Sequence, residues 1–197
     1  DPTAPPTAAA DDAAVVEAVL AGDRDAFRVL VEREGPATVR ACYRVLGDLH
    51  EAEDAAQEAF VTAYRSLAGW RGEGPFGAWL SRIAVRIALR RAAGRRSVAW
   101  IEPGTGDERP IGGRGLTSGG QADPAISALR AERAAAVRAA VARLDEPYRE
   151  VVALRFFAER SLAEIAVECR RPLGTVKTHL HRGLMRLRRE LAEEGEQ

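Results

Sequence analysis

The sequence predicts an all-α protein of two small helical domains joined by a flexible linker. Three observations carry that expectation. The apolar positions are filled mostly by Ala, Leu and Val, with aromatics at only 6%, a composition that favours helices over sheets. Apolar residues recur at intervals of three and four over much of the chain, the period of a helix with one buried face. Residues 97–123 lack any such period and are rich in Gly and Pro, including Gly112-Gly113 and Gly119-Gly120. So long a patternless stretch is unusual inside one compact domain. The 197 residues suffice for two small domains, placed at 11–96 and 124–197, with 1–10 as a disordered tail of Pro, Ala and Thr.

In the first domain, Val15, Val16, Val19 and Leu20 form a short stripe stopped by Gly22. Asp23 caps a second helix carrying Ala26, Phe27 and Leu30. Gly35-Pro36 is expected to break it, and a third helix then carries Val39, Cys42, Tyr43 and Leu46 and ends at Gly47. Asp48 and Glu51 have capping-box spacing for a helix over 51–67, with Ala52, Ala56, Ala59, Phe60, Ala63 and Leu67 turned inward. A loop holding Gly69, Trp70, Gly72, Gly74 and Pro75 follows. Beyond it Phe76, Leu80, Ile83 and Ile87 step by four, three and four along one face, and Arg82, Arg86 and Arg90 step by four along another.

The second domain resumes the helical pattern from Pro124 to Leu144, and again from Pro147 with Val151, Val152, Leu154 and Phe157. Ser161-Leu162-Ala163-Glu164 is a capping box opening a short helix. Arg170-Arg171 ends it, and Pro172 sits where a new helix takes a first-turn proline. In the last helix Leu173, Val176, Leu180, Leu184, Leu187 and Leu191 step by three, four, four, three and four.

Lys+Arg and Asp+Glu both total 29, so the formal net charge is zero, whereas a nucleic-acid binder is ordinarily basic. The charges are nevertheless segregated. Residues 48–58 hold Asp48, Glu51, Glu53, Asp54 and Glu58 with no Lys or Arg; residues 71–96 hold seven arginines against Glu73 alone. Opposite faces for opposite partners is the expectation. Cys42 and Cys169 have no Cys or His neighbours at ligand spacing, so neither a disulfide nor a metal site is expected, and a reducing cytoplasm fits. No apolar run approaches the roughly 18 residues of a membrane span. No signal peptide is visible, and Asp1 in place of a starting Met reads as trimming. The three histidines, His50, His179 and His181, do not form a metal set. With no nucleophile–base pair, P-loop or glycine fingerprint, no cofactor and no enzyme active site are expected.

Residues 161–189 have the layout of a helix-turn-helix, with Lys177, Thr178, His181, Arg182, Met185, Arg188 and Arg189 on the polar face of the second helix. Only side chains near the leading end of such a helix reach base edges in a major groove. That nominates Lys177, Thr178 and His181 for bases, with Thr175 beside them and Arg171 and Arg182 for phosphate or base. The alternative is a helical bundle whose basic face is solvated. In the first domain Trp70, Arg71, Phe76 and Trp79 interleave aromatics and charge beside the Arg82, Arg86 and Arg90 stripe. Aromatic faces stack on unpaired bases, each worth roughly 1–3 kcal/mol, although Phe76 and Trp79 are equally suited to a core.

Three of these segments resemble the sigma-70 family of bacterial RNA polymerase sigma factors. Leu46-Gly47-Asp48, Glu53-Asp54-Ala55-Ala56-Gln57-Glu58-Ala59-Phe60 and Ala63-Tyr64-Arg65 look like the helix that binds core polymerase. Trp79-Leu80-Ser81-Arg82-Ile83-Ala84 resembles the next helix of that family, and 173–182 its −35-reading helix. Two matched domains with a linker indicate the extracytoplasmic-function (group IV) subfamily, a sigma2-like helical bundle and a sigma4-like helix-turn-helix. The resemblance implies that Asp48, Glu51, Asp54, Gln57 and Glu58 face the clamp of the polymerase β′ subunit, and that the second domain meets the β flap. It implies that Trp70, Arg71, Phe76, Trp79, Arg82, Arg86 and Arg90 meet the −10 element, with a flipped base in the loop 69–78. Arg171, Thr175, Lys177, Thr178, His181 and Arg182 would read the −35 duplex. An anti-sigma partner and a monomeric free state are implied as well. Arginine at 86 and 90, where the family often has Asn and Asp or Asn, leaves the −10 preference open, and His181 and Gly183-Leu184-Met185 leave the −35 sequence open. The competing reading is a stand-alone helix-turn-helix regulator that dimerises on a palindrome without polymerase; a helical adaptor is a third.

Overall fold

Residues 8–99 and 124–195 are described by a computed structural model, and among them every regular element is helical. The first unit comprises α1 (Ala8–Leu20), α2 (Arg24–Leu46), α3 (Leu49–Arg65), a short 3-10 turn (Leu67–Gly69) and α4 (Phe76–Ala99). The second comprises α5 (Pro124–Arg143), α6 (Tyr148–Phe156), α7 (Leu162–Glu168) and α8 (Leu173–Gly195). Most of the expected tail and of the expected linker lies outside the described residues. At the edges Ala8 to Ala10 belong to α1, and α4 continues through 97–99.

Helix ends follow local chemistry. The Asp23 side chain accepts from the N–H groups of Asp25 and Ala26 at 3.0 and 3.2 Å, satisfying donors that the first turn leaves open. Gly47 closes α2 with φ of 76°, the left-handed conformation that glycine adopts at no steric cost. Asp48 then caps α3 by accepting from Glu51 N at 2.9 Å. Ser161 and Glu164 form both halves of the expected capping box.

One expected break is absent. α2 runs without interruption across Gly35-Pro36, although an interior proline removes a backbone donor and costs about 3 kcal/mol. Packing outweighs that cost. Phe27 and Leu30 before the proline, and Cys42, Val45 and Leu46 after it, enter one core against α3 and α4, and a fully buried side chain of this kind contributes about 1.5–3 kcal/mol. The Thr38 hydroxyl also donates to Glu34 O at 2.8 Å, in the turn that holds the proline.

α3 contributes almost only alanines to the interior: Ala52, Ala55, Ala56, Ala59 and Ala63 are all buried. Small residues let α2 and α4 approach closely, and all the acidic residues of α3 are left on its other faces. α4 starts under external control. The Asp12 carboxylate, itself buried, accepts from Phe76 N at 2.7 Å and pairs with Arg33 of α2. One side chain of α1 therefore sets the start of α4 and its angle to α2.

In the second unit, Val151, Val152 and Leu154 of α6, Ile165 of α7 and Val176 of α8 form the interior. The stripe on α8 is less deep than its spacing suggests. Leu173 is exposed because it lies at the helix start beyond the reach of α6, as Leu20 is at the end of α1. α6 and α8 approach closely at Gly183, where a β-carbon would sit 2.7 Å from Val152 Cγ2 and 3.3 Å from Tyr148 Cβ. A Gly183→Val variant should therefore lose roughly 1–3 kcal/mol through overpacking. Thermal unfolding monitored by circular dichroism will show the midpoint fall by several degrees; an unchanged midpoint would mean that α8 does not pack on α6 at this position.

Candidate nucleic-acid interface

Phe76 is fully buried. It meets Phe27, Trp70 and Trp79 with ring centroids 6.4, 6.2 and 5.6 Å apart, the edge-on and tilted arrangements that aromatic quadrupoles favour. The expectation that it contacts DNA is corrected: it is the core residue on which the two tryptophans rest. Trp79 is half-buried on Phe76, and Trp70 lies at the surface loop with its indole N–H buried and without a hydrogen-bond partner. A buried unpaired N–H is uncommon in folded proteins. Trp70, Arg71, Trp79 and Arg82 line a cleft whose other side is formed by Val167, Glu168 and Arg170.

The arginine stripe of α4 is divided between two acidic partners. Arg82 Nε and Arg86 Nε each donate to Glu150 Oε1 at 2.9 Å, and Arg82 Nη1 also donates to Glu168 O. Glu150 belongs to α6, and its side chain is 6% exposed. Burial alone would push its carboxyl up, but the Arg82 hydrogen bond and the charges of Arg82 and Arg86 bring it below its ordinary value. Arg90 and Arg91 both reach Glu58 of α3, at 3.3 and 2.8 Å. Arg90 keeps 71% of its side chain exposed.

On α3, Asp54 and Gln57 are exposed, Glu51 is half-buried, and Asp48 is exposed while capping the helix. Glu58 stands apart from them. Its carboxylate also ties α3 to α4 through Arg90 and Arg91, with 40% of the side chain still exposed.

On α8, Lys177, Thr178, His181 and Arg182 are exposed along the leading turns, and Thr175 is half-buried. The Thr178 hydroxyl donates to Gly174 O at 3.0 Å. Neither Lys177 nor Arg182 has an ion-pair partner among the described residues. Arg171 is positioned by His179, whose Nδ1 lies 3.2 Å from Arg171 Nη1. Burial and the charges of Arg171 and Arg182 hold that imidazole below its ordinary range, leaving a ring nitrogen free to accept. The packing of the His179 ring edge-on against Tyr148 fixes its orientation.

Sequence reasoning missed Glu150, Arg160 and Glu168. Each is a charged residue on a short helix or turn, and its partners lie more than 60 positions away. Arg160 donates to Ser81 Oγ at 2.6 Å and to Gly77 O at 2.7 Å, at the first turns of α4. The thiols Cys42 and Cys169 are buried and free, and burial pushes them up to about 12 and about 11, so both stay protonated.

The protein is a two-part helical one, in which a helix-turn-helix lies beside an aromatic–arginine face. Residues 30–98 match Sigma-70 region 2 and residues 134–187 match Sigma-70, region 4. The chain is 34% identical over 183 residues to the ECF RNA polymerase sigma factor SigW of Bacillus subtilis, covering 90% of this chain and 95% of that one. It is 35% identical over 173 residues to the RNA polymerase sigma-H factor of Pseudomonas aeruginosa, covering 87% and 89%. The fold is also that of CnrH, solved in complex with the cytosolic domain of CnrY, with a TM-score of 0.55 at 21% identity over 91% of this chain and 96% of that one. The chain belongs to the sigma-70 family, in its extracytoplasmic-function branch, and is an RNA polymerase-binding sigma factor. The stand-alone regulator is set aside, since it gives region 2 no role.

Glu168 makes the cleft sensitive to pH. Its carboxyl faces Arg82 from α4, Glu73 and Arg71 from the glycine loop, and Arg160 and Arg170 from its own unit. Burial pushes it up to about 7, Glu73 adds to the rise, and Arg82, Arg160 and Arg170 oppose it. A value raised above the ordinary 4.5 means that the cleft contact is strongest where both states are protonated. It weakens as the pH rises towards 7. Glu150, held low, stays ionised over that range and adds no slope. Between about pH 5.5 and about pH 7.5, amide exchange in residues 69–74, corrected for intrinsic rates, should become faster as the pH rises. Glu168→Gln should flatten the profile, and a wild-type profile that is already flat would remove Glu168 from the contact.

Proposed function

We propose that the chain docks core polymerase through the outward face of α3 and reads a two-part promoter with α4 and α8. Asp48, Glu51, Asp54, Gln57 and Glu58 meet the β′ clamp. Trp70, Arg71, Trp79, Arg82, Arg86 and Arg90 meet the −10 element. Arg171, Thr175, Lys177, Thr178, His181 and Arg182 meet the −35 duplex. The domains that do this are 11–96 and 124–197. The observation that carries the reading is the separation of surfaces. α3 turns its alanines inward and its carboxylates outward, while α8 exposes Lys177 and Arg182 with no ion-pair partner among the described residues.

The zero net charge fits a protein whose affinity for DNA comes mostly through polymerase, since phosphate neutralisation by cations dominates unaided DNA binding. The work is recognition and assembly, with no catalytic step, and takes place in the cytoplasm beside polymerase. No described helix is long and apolar enough to cross a membrane. The family resemblance also supports an anti-sigma partner, and CnrH is solved in complex with the cytosolic domain of CnrY.

Run-off transcription from a promoter library, with purified core polymerase with and without the chain, tests the reading. Start sites preceded by two spaced motifs are the expected result; no stimulation together with no polymerase binding would refute it. Lys177→Ala with Arg182→Ala should abolish selection at the upstream motif and leave polymerase affinity unchanged. Asp54→Arg should weaken polymerase binding at least about tenfold, about 1.4 kcal/mol, with the melting temperature retained.

A further inference from the structure

Arg171 lies in the turn between α7 and α8, and its side chain reaches His179, eight positions further along the chain. An arginine donates and never accepts, so Arg171 Nη1, 3.2 Å from His179 Nδ1, gives that bond its direction. Nδ1 is then the bare nitrogen of a neutral ring, and the ring proton sits on Nε2. The ring itself is held from α6. Its centroid is 5.7 Å from that of Tyr148, with the planes at 85°. The Arg186 guanidinium lies 4.4 Å over the Tyr148 ring and pairs with Asp145 at 3.0 Å.

What sets Arg171 apart is that its partner carries no charge. Arg82, Arg86, Arg90, Arg91 and Arg186 each meet a carboxylate, which orients a guanidinium and offsets its charge together. Among the described residues no carboxylate pairs with Arg171. A neutral imidazole orients the guanidinium and leaves its charge whole, available to an anion from outside. At about 100° per residue, His179 stands on the flank of α8. Buried Val176 and Gly183 lie to one side of it, and Thr175, Thr178 and Arg182 to the other. A recognition helix in a major groove turns its flanks to the sugar-phosphate walls.

We propose that Arg171 is a phosphate clamp at the wall of the upstream groove, and that His179, backed by Tyr148, is the positioning residue that holds it there. This rests on the assignment of α8 to the −35 duplex under the proposed function. His179 acts through Arg171, sparing that side chain the rotamer entropy of ordering at each encounter. Phosphate contacts fix register without reading sequence, so the clamp sets how Lys177, Thr178 and His181 meet base edges.

The full chain is titrated into a fluorescent pool of random-sequence duplex DNA, read by anisotropy over a series of low salt concentrations. The pH is about 8, where the ring is neutral. Arg171→Ala should weaken binding about fivefold and lower the slope of log affinity against log salt by about 0.9. His179→Phe keeps a ring on Tyr148 and removes the acceptor. It should weaken binding by nearly as much, and add nothing in the Arg171→Ala background. His179→Asn gives up the ring and restores an acceptor at the place of Nδ1, so it should recover most of that loss. Lys177→Ala with Arg182→Ala shows separately whether α8 is the binding surface.

Binding retained by His179→Phe and lost by His179→Asn overturns the positioning role, since a ring needed only for packing gives that order. Additive losses for His179→Phe and Arg171→Ala overturn it as well. Unchanged affinity and slope for Arg171→Ala overturn the clamp, while a loss in the Lys177 and Arg182 pair keeps the −35 assignment standing. Duplex binding indifferent to that pair too removes α8 from the duplex, and the clamp with it.

Discussion

The placement of α4 depends on one hydrogen-bonded carboxylate. Asp12 accepts from Phe76 N and pairs with Arg33, so the first residue of α4 is fixed by α1 and α2 rather than by its own loop. Everything further along α4 inherits that position. Phe76 fills the aromatic core, Leu80 and Ala84 follow on the same side, and Arg82, Arg86 and Arg90 emerge at set angles opposite them. An anion buried in this way is tolerated because both of its oxygens have donors. The glycine-rich loop before α4 can then remain an open surface, since the carboxylate bears the anchoring that the loop would otherwise supply.

The unit around α4 divides its surface by residue size. α3 gives alanines to the interior and keeps its acidic residues outside. Glu58 is the exception, and it shows where the boundary falls: at the edge between α3 and α4 it neutralises Arg90 and Arg91. Beyond that edge α3 is acidic, and before it α4 is basic. The segregation of charge along the sequence thus becomes a segregation in space, with an ion-paired seam between the two regions. A protein with zero formal charge can in this way offer a negative face to one macromolecule and a positive one to another.

Much of this was legible in the residues. The capping chemistry of Asp23, Asp48 and Ser161–Glu164, the inward alanines of α3, and the helix-turn-helix around α7 and α8 all follow from spacing along one element. What could not be read depends on two elements at once. Pro36 was expected to end a helix because the local rule is strong, yet packing on both sides of it prevailed. Phe76 suited a core or a stacking surface equally well until Phe27, 49 positions earlier, was placed against it. Glu150 is one more carboxylate on a short helix, and its meaning appears only when Arg82, 68 positions away in sequence, lies beside it. Periodicity fixes which way a residue faces and says nothing of what it faces.

The buried residues of the two units form one apolar cluster, running from Val16 and Leu30 through Leu80 and Val85 to Val141, Val151 and Ile165. Of the second unit's helices α6 and α7 have only 9 and 7 residues, and small domains bury a low fraction of their surface. Leaning on α4 therefore supports their folding as well as covering a surface. Separation of the units exposes apolar area on both, so each is less stable apart than together unless another macromolecule covers what has been uncovered.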